Sequence, residues 1–109
     1  MSISVTEWDP LIWGEITLEN IKKRYYTGQN HRISETVYSL QTCFEGWAID
    51  RYLYCLEGAF NIEIEDRILH FSARTFAFLP KGQYKFSGLN SSFVKLVTVF
   101  MISEDLWKI

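Results

Sequence analysis

The chain has 109 residues, of which 48% are hydrophobic and 17% aromatic, and its 11 basic and 13 acidic residues give a formal net charge of −2. This length fits one domain spanning residues 1–109, and the charge gives no basic footprint for nucleic acid. No apolar run approaches the ~18 residues that a membrane span requires, and residues 1–7 lack the basic and apolar regions of a signal peptide. The sequence therefore predicts a cytoplasmic protein that binds neither nucleic acid nor a membrane.

The cysteines and histidines do not form a recognisable site. Cys43 and Cys55 lie in apolar, strand-like surroundings and do not form a C-x-x-C motif. Small disulfide scaffolds usually carry about four or more cysteines, so both are predicted to be reduced and to act as small hydrophobic residues. Nothing in the sequence places His31 or His70 beside a cysteine, and the spacings of a zinc site are missing. We assign no catalytic residue.

The first third of the chain is ambiguous over residues 17–28. Interpreted as a helix, this segment has Thr17 as its N-cap, apolar residues at helical spacing and Gly28 beyond its end. Interpreted as a strand entering a loop, it has aromatic residues that favour an extended backbone. We favour the strand, and expect the basic residues 22–24 to form a solvated face.

Downstream, five segments have strand composition. They are residues 52–56, 60–65, 68–71, 75–79 and 93–102. The second alternates apolar and polar side chains, and Asp66-Arg67 is predicted to turn the chain into the third. Pro80-Lys81-Gly82 is predicted to end the fourth in another turn, and Ser103 with its acidic neighbours suits a helix start. Short strands separated by turns predict an all-β sandwich or barrel.

The stretch from Tyr54 to Phe86 resembles a cupin. The end of the first cupin motif corresponds to Tyr54-Cys55-Leu56-Glu57-Gly58, a hairpin over residues 60–71 follows, and the Pro-x-Gly turn of the second motif corresponds to residues 79–84. The resemblance implies a jelly roll (a double-stranded β-helix barrel) whose two sheets enclose a pocket. It also implies a homodimer, since cupins are often dimeric.

Metal-binding cupins hold iron, manganese, nickel or zinc through three histidines and one carboxylate. By the spacing of the family, the histidine positions fall on Glu45, Trp47 and Lys85, and the carboxylate position falls on Arg51. Two of these residues are cations, which oppose a divalent ion electrostatically. We therefore expect no metal and no cofactor. A shift of one residue offers only one good ligand among Phe44, Gly46, Asp50 and Tyr84.

The same resemblance suggests which residues line the opening of the pocket, and they are Glu45, Trp47, Arg51, Tyr84 and Lys85. Arg51 grips a carboxylate or phosphate at two points, Lys85 adds a point charge, and Trp47 and Tyr84 provide flat apolar walls. These residues predict a site for a small, partly apolar anion. In the alternative interpretation Glu45 pairs with Arg51 or Lys85, and no ligand is bound.

Three functions remain open, and catalysis is the least favoured of them. The first is a metal-free cupin-like module that binds a small molecule or regulates in response to one. The second is a structural or interaction domain with a vestigial pocket, whose contact surface is formed by Trp8, Trp13, Tyr25 and Tyr26. The third is a metal-independent isomerase or epimerase that uses Tyr84, Glu45 or a histidine as acid or base.

Overall fold

The computed structural model describes residues 3–25, 31–39, 42–89 and 93–101. Within these ranges the chain forms two short helices and nine strands. In chain order they are β1 (Thr6–Glu7), α1 (Pro10–Trp13), α2 (Leu18–Lys23), β2 (His31–Tyr38), β3 (Cys43–Ala48), β4 (Arg51–Glu57), β5 (Ala59–Ile64), β6 (Arg67–Ser72), β7 (Thr75–Leu79), β8 (Gly82–Gly88) and β9 (Val94–Met101). The predominance of strands confirms the all-β prediction.

The strands form two antiparallel sheets. The five-stranded sheet has the order β1-β7-β4-β9-β2, and the four-stranded sheet has the order β3-β8-β5-β6. From β2 to β9 the chain passes repeatedly from one sheet to the other, and only the β5–β6 hairpin stays within its sheet. Such crossing connections are typical of a jelly roll, in which two sheets close around a common interior.

Aromatic side chains fill one end of the space between the sheets. The ring centroids of Phe60 and Phe71 are 4.7 Å apart, and those of Phe60 and Phe86 are 5.0 Å apart. All three side chains are fully or almost fully buried. They belong to β5, β6 and β8. Along each strand every second side chain points to the same face of the sheet, and in these three strands that face is the interior one.

Strand β4 is buried on both of its faces, as its continuous apolar sequence predicted. Leu53 and Cys55 belong to the core between the sheets, whereas Tyr54 belongs to a second core on the outer face of the five-stranded sheet. Trp8 and Ile21, which come from the N-terminal segment, complete this second core. Of the residues expected at an aromatic contact surface, Trp8 and Tyr25 thus pack on the chain's own sheet, whereas Trp13 is partly exposed.

The preference for a strand over residues 17–28 is wrong for the residues described. Helix α2 follows Thr17, whose hydroxyl accepts a hydrogen bond from the backbone N–H of Asn20 at 3.1 Å. This N-cap satisfies a donor at the helix start, and the fully buried Ile21 fixes the helix on the sheet. Local capping and tertiary burial together outweigh the extended preference of the aromatic residues.

Arg24 does not join its lysine neighbours on a solvated face. Its guanidinium carbon lies 4.9–5.8 Å from the ring centroids of four aromatic residues, Trp8, Trp13, Tyr54 and Phe76. Its Nη1 also donates to the Tyr54 hydroxyl at 3.2 Å, and the Tyr54 hydroxyl is hydrogen-bonded to that of Tyr25. These contacts attach the end of α2 to the sheet.

Other predicted elements agree closely with the structure. The predicted strand 75–79 coincides with β7, and the strands predicted over 52–56 and 93–102 match β4 and β9 within a residue or two. The hairpin turn lies one residue earlier than predicted, since Glu65 takes a φ of 55° and Arg67 already belongs to β6. The expectations for Tyr26, Gly28 and Ser103 fall outside the described residues.

Neither of the helices in the described ranges has the length or the apolar composition needed to cross a bilayer.

Gly58 is a position where only glycine fits. Its φ is +84°, and a Cβ there would lie 2.4 Å from the carbonyl oxygen of Phe93. We expect Gly58→Ala to lower the free energy of unfolding by about 2–4 kcal/mol, from left-handed strain and steric overlap together. Gly82→Ala is the comparison, because Gly82 has a φ of +144° and no atom within 4 Å of a built Cβ. If urea denaturation showed that Gly58→Ala and Gly82→Ala lower the free energy of unfolding equally, the contact with Phe93 would not contribute.

The tyrosine pair beneath α2 makes stability sensitive to alkali. Burial raises the pKa values of Tyr25 and Tyr54 above the ordinary value for tyrosine. Above about pH 10 the unfolded chain loses these protons more readily than the folded chain, so stability falls as the pH rises through this range. We expect Tyr25→Phe to reduce the slope of this fall between pH 10 and 11.5 in urea denaturation. An unchanged slope in Tyr25→Phe would show that Tyr25 does not cause the loss of stability at alkaline pH.

Candidate ligand-binding cavity

A cavity of about 110 Å³ lies between the two sheets. Its polar lining is made of hydroxyl groups and one guanidinium group, from Ser34, Thr36, Tyr38, Thr98, Tyr84 and Arg51. Its other lining residues are apolar, and the lining found within the described ranges contains no carboxylate, imidazole or thiol. The cavity is therefore an apolar space with hydroxyl donors and acceptors and a single cationic group.

Arg51 reaches this cavity because it is the first residue of β4 and has the same parity as the core residue Leu53. Only 4% of its surface is exposed. Its Nη1 donates to the carbonyl oxygens of Ile49 at 3.3 Å and Pro80 at 3.2 Å. The guanidinium carbon also lies 4.9 Å from the ring centroid of Tyr84, which is cation–π geometry.

Gly46 makes room for the Tyr84 ring. The two residues are register partners on β3 and β8, and both have the parity that faces the interior. A Cβ at position 46 would lie 3.1–3.3 Å from atoms of the Tyr84 side chain, so a larger residue would push the ring aside. The glycine thus helps to hold the ring against which Arg51 rests.

The guanidinium of Arg51 is only partly satisfied by protein. It carries five N–H groups, and its hydrogen bonds to the described residues use Nη1 alone. In the same ranges no fully buried side-chain nitrogen lacks a hydrogen-bond partner. The N–H groups of Nη2 and Nε therefore border accessible space, and the space that Arg51 lines is the cavity.

Among the residues described, Asp50 is the nearby carboxylate that acts on Arg51, and it lies outside the lining of the cavity. Burial lowers the pKa of Arg51, and the nearby Tyr84 and Asp50 oppose that shift. The Asp50 carboxylate accepts a hydrogen bond from the backbone N–H of Lys81 at 2.6 Å, which engages it in the turn before β8. Burial also raises the pKa of Tyr38, so its hydroxyl stays neutral and able to donate at physiological pH.

The five residues predicted from the sequence do not share one pocket. Arg51 and Tyr84 face the interior, whereas Glu45, Trp47 and Lys85 are exposed on the outer face of the four-stranded sheet. The reason is that side chains alternate between the two faces of a strand. On β3 the positions of Phe44 and Gly46 face the interior, and those of Glu45 and Trp47 face outward. Glu45 and Lys85 are register partners on that outer face, so Glu45 is adjacent to Lys85 and remote from Arg51.

The donor set inside the sheets does not fit a transition metal. The inward positions next to Arg51 belong to Phe44, Gly46 and Tyr84, which together offer one phenol. The described residues contain no group of three or more His, Cys, Asp or Glu side chains that could hold an ion. Iron, manganese, nickel and zinc are usually bound by imidazoles and carboxylates. The positive charge of Arg51 would in addition repel such a metal ion.

Both histidines lie away from the cavity. His70 is exposed on β6, where its Nδ1 is 3.0 Å from the Oδ1 of Asn61. His31, expected in a loop, is the first residue of β2, and its ring centroid is 5.6 Å from that of Tyr25. Both cysteines are free, as predicted. Cys55 is buried in the core and burial raises its pKa to about 12, whereas Cys43, expected to act as a small hydrophobic residue, is exposed.

Four hydroxyl residues of the cavity, Ser34, Thr36, Tyr38 and Thr98, were not predicted from the sequence. Ser34 and Thr36 lie on β2, and Ser34 is the register partner of Thr98 on β9. The signal was weak because Ile33, Glu35 and Val37 alternate with these residues, so β2 has no clean apolar face. The pairing of β2 with β9, which no local pattern reveals, brings the hydroxyl groups together.

Comparison of the sequence with models of known protein families gave no match, and comparison with curated proteins gave none either. The structure, by contrast, is similar to several solved structures. The EutQ protein of Clostridium difficile superposes with a TM-score of 0.59 at 17% identity, over 94% of this chain and 69% of that one. A cupin superfamily protein of Desulfitobacterium hafniense superposes with a TM-score of 0.60 at 11% identity, over 94% of this chain and 79% of that one.

A cupin-2 domain protein of Shewanella frigidimarina superposes with a TM-score of 0.50 at 13% identity, over 74% of this chain and 91% of that one. At these identities the similarity concerns the fold. The cupin-like arrangement expected from residues 54–86 extends over most of the chain, with two facing antiparallel sheets and an internal cavity. The protein therefore has the cupin fold.

Proposed function

We propose that the protein is a metal-free binding module that holds a small organic anion, a carboxylate, between its two sheets. The observation that carries this proposal is the partly satisfied guanidinium of Arg51 inside the cavity. A buried charge is costly unless it is paired and hydrogen-bonded, so an anion in the cavity would provide what the protein does not. A carboxylate suits the planar donors of arginine because it accepts two parallel hydrogen bonds.

The cavity limits the size of the anion. A cavity of about 150 Å³ accommodates benzene, so the space of about 110 Å³ suits a group smaller than a six-membered ring. Hydroxyl groups of Thr98, Ser34 and Tyr84 line the same space and could complete the hydrogen bonds of a carboxylate. The neighbouring apolar side chains would contact a short alkyl group.

The cavity favours binding over the alternatives that the sequence left open. A vestigial pocket requires an interior filled by side chains, whereas a space of about 110 Å³ remains here. Isomerisation or epimerisation requires an acid and a base positioned to move a proton. Tyr84 is the one candidate that lines the cavity, and the lining found within the described ranges has no carboxylate or imidazole to act with it. Glu45, the carboxylate candidate, lies on the outer face.

The proposal is tested by titrating the protein with propionate in isothermal calorimetry. We expect Arg51→Gln to weaken binding by about 10- to 100-fold, because a hydrogen-bonded ion pair is lost. Thr98→Val should weaken it by about three- to tenfold, and it leaves the surroundings of the guanidinium intact. Lys85→Gln is the matched control, since it removes an exposed cation from the outer face and should leave the affinity unchanged.

Three outcomes would overturn the proposal. One is the absence of propionate binding to the folded wild-type protein. Another is binding that survives both Arg51→Gln and Thr98→Val. Weakening by Lys85→Gln to the same extent as by Arg51→Gln would also contradict it, because the effect would then reflect the total charge instead of the cavity.

A further inference from the structure

A second pocket opens at the end of the cavity where Arg51 lies. It has a volume of about 280 Å³, and its lining is mainly apolar. Its lining residues are Arg32, Trp47, Ala48, Ile49 and Phe100. Trp47 is 60% exposed, although indole rings are usually largely buried. We call this space the outer pocket.

The outer pocket is adjacent to the cavity in the fold. Ala48 and Phe100 line both spaces. Phe100 is the register partner of Arg32 on one side and of Arg51 on the other, so the three residues form one row across the five-stranded sheet. Neighbouring strands are about 4.8 Å apart, which places the Cα atoms of the two arginines roughly 10 Å from each other.

Arg51 lines the cavity and contacts a residue of the outer pocket. The carbonyl group of Ile49, which lines the outer pocket, accepts a hydrogen bond from Arg51 Nη1 at 3.3 Å. Arg51 lines the cavity and Arg32 lines the outer pocket. Neither lining contains a carboxylate among the residues described. The charge favours an anion at both, and only the outer pocket has the volume for a ring.

We propose that the cavity and the outer pocket hold one ligand, an aryl-substituted short-chain carboxylate. This inference rests on the proposed function, since Arg51 would bind the carboxylate in the cavity. The alkyl chain would pass between Ala48 and Phe100, and the aromatic ring would occupy the outer pocket. A cavity of about 150 Å³ accommodates benzene, so about 280 Å³ is sufficient for a substituted ring.

Three side chains of the outer pocket suit an aromatic ring. Trp47 and Phe100 offer π-faces for offset or edge-to-face contacts, which add to the gain from burying apolar surface. Arg32 offers a planar cation that stacks on aromatic faces. Trp47 is a specificity-determining residue in this arrangement, because it contacts the ring and leaves the carboxylate to Arg51.

The test compares propionate with 3-phenylpropionate, two carboxylates that differ by one ring. Isothermal calorimetry on the wild-type protein should show 3-phenylpropionate binding about tenfold tighter or more, because the ring is buried against aromatic faces. Trp47→Ala should remove most of this gain and leave the propionate affinity unchanged, and Trp47→Phe should retain part of it. Ile68→Ala, which alters another exposed apolar residue of the same sheet, is the matched control.

The outcomes separate this inference from the proposed function. Propionate binding that depends on Arg51, with no gain from the phenyl ring, would overturn the inference and leave the proposed function standing. A gain from the ring that persists in Trp47→Ala would also overturn the inference. If neither carboxylate binds the folded protein, both proposals fail. 2-Phenylethanol, which lacks the carboxylate, should bind at least tenfold more weakly than 3-phenylpropionate, and equal affinity would contradict the role of Arg51.

Discussion

The buried guanidinium of Arg51 is the group on which the arrangement of the cavity depends. Removing a charge from water costs several kcal/mol unless other groups replace the lost hydration. Two carbonyl oxygens and the Tyr84 ring supply part of that replacement. One of the carbonyl groups belongs to Pro80, so the turn before β8 and the start of β4 are linked through the same side chain. The N–H groups of Arg51 that have no partner in the described part of the chain are what make the cavity suited to an anion.

The phase of side chains along β3 and β8 determines the chemistry of the interior. A shift of one residue would bring Glu45 and Lys85 inward and produce an interior with an internal ion pair. The observed phase turns both outward, where they lie beside each other in water, and keeps Gly46 and Tyr84 inside. Within the described ranges Arg51 thus has no carboxylate partner in the cavity, although the sequence has a glutamate, Glu45, only six residues before it.

The parts of the fold that were predictable have patterns that belong to one segment. The alternation of residues 60–65, the doubly apolar β4 and the Pro-x-Gly turn each specify their own structure, and all three were recognised. The phase of β3 was not, because Cys43, Trp47 and Ala48 leave no clean polar and apolar faces. The cavity hydroxyl groups depend on the pairing of β2 with β9, which is a contact between distant segments. The individual strands could therefore be predicted from the sequence, whereas the ligand site could be recognised only in the tertiary structure.

A comparison with Arg24 shows why Arg51 is the arginine suited to a ligand. Both guanidinium groups contact aromatic rings, but Arg24 is held by four rings and donates to the Tyr54 hydroxyl at the attachment of α2. Its contacts join two parts of the chain and are sufficient to explain its position. Arg51 contacts one ring and two carbonyl oxygens, and it borders a space enclosed by hydroxyl groups. The guanidinium of Arg24 is thus engaged in holding the end of α2 on the sheet, whereas an anion beside Arg51 would enter a space that already exists.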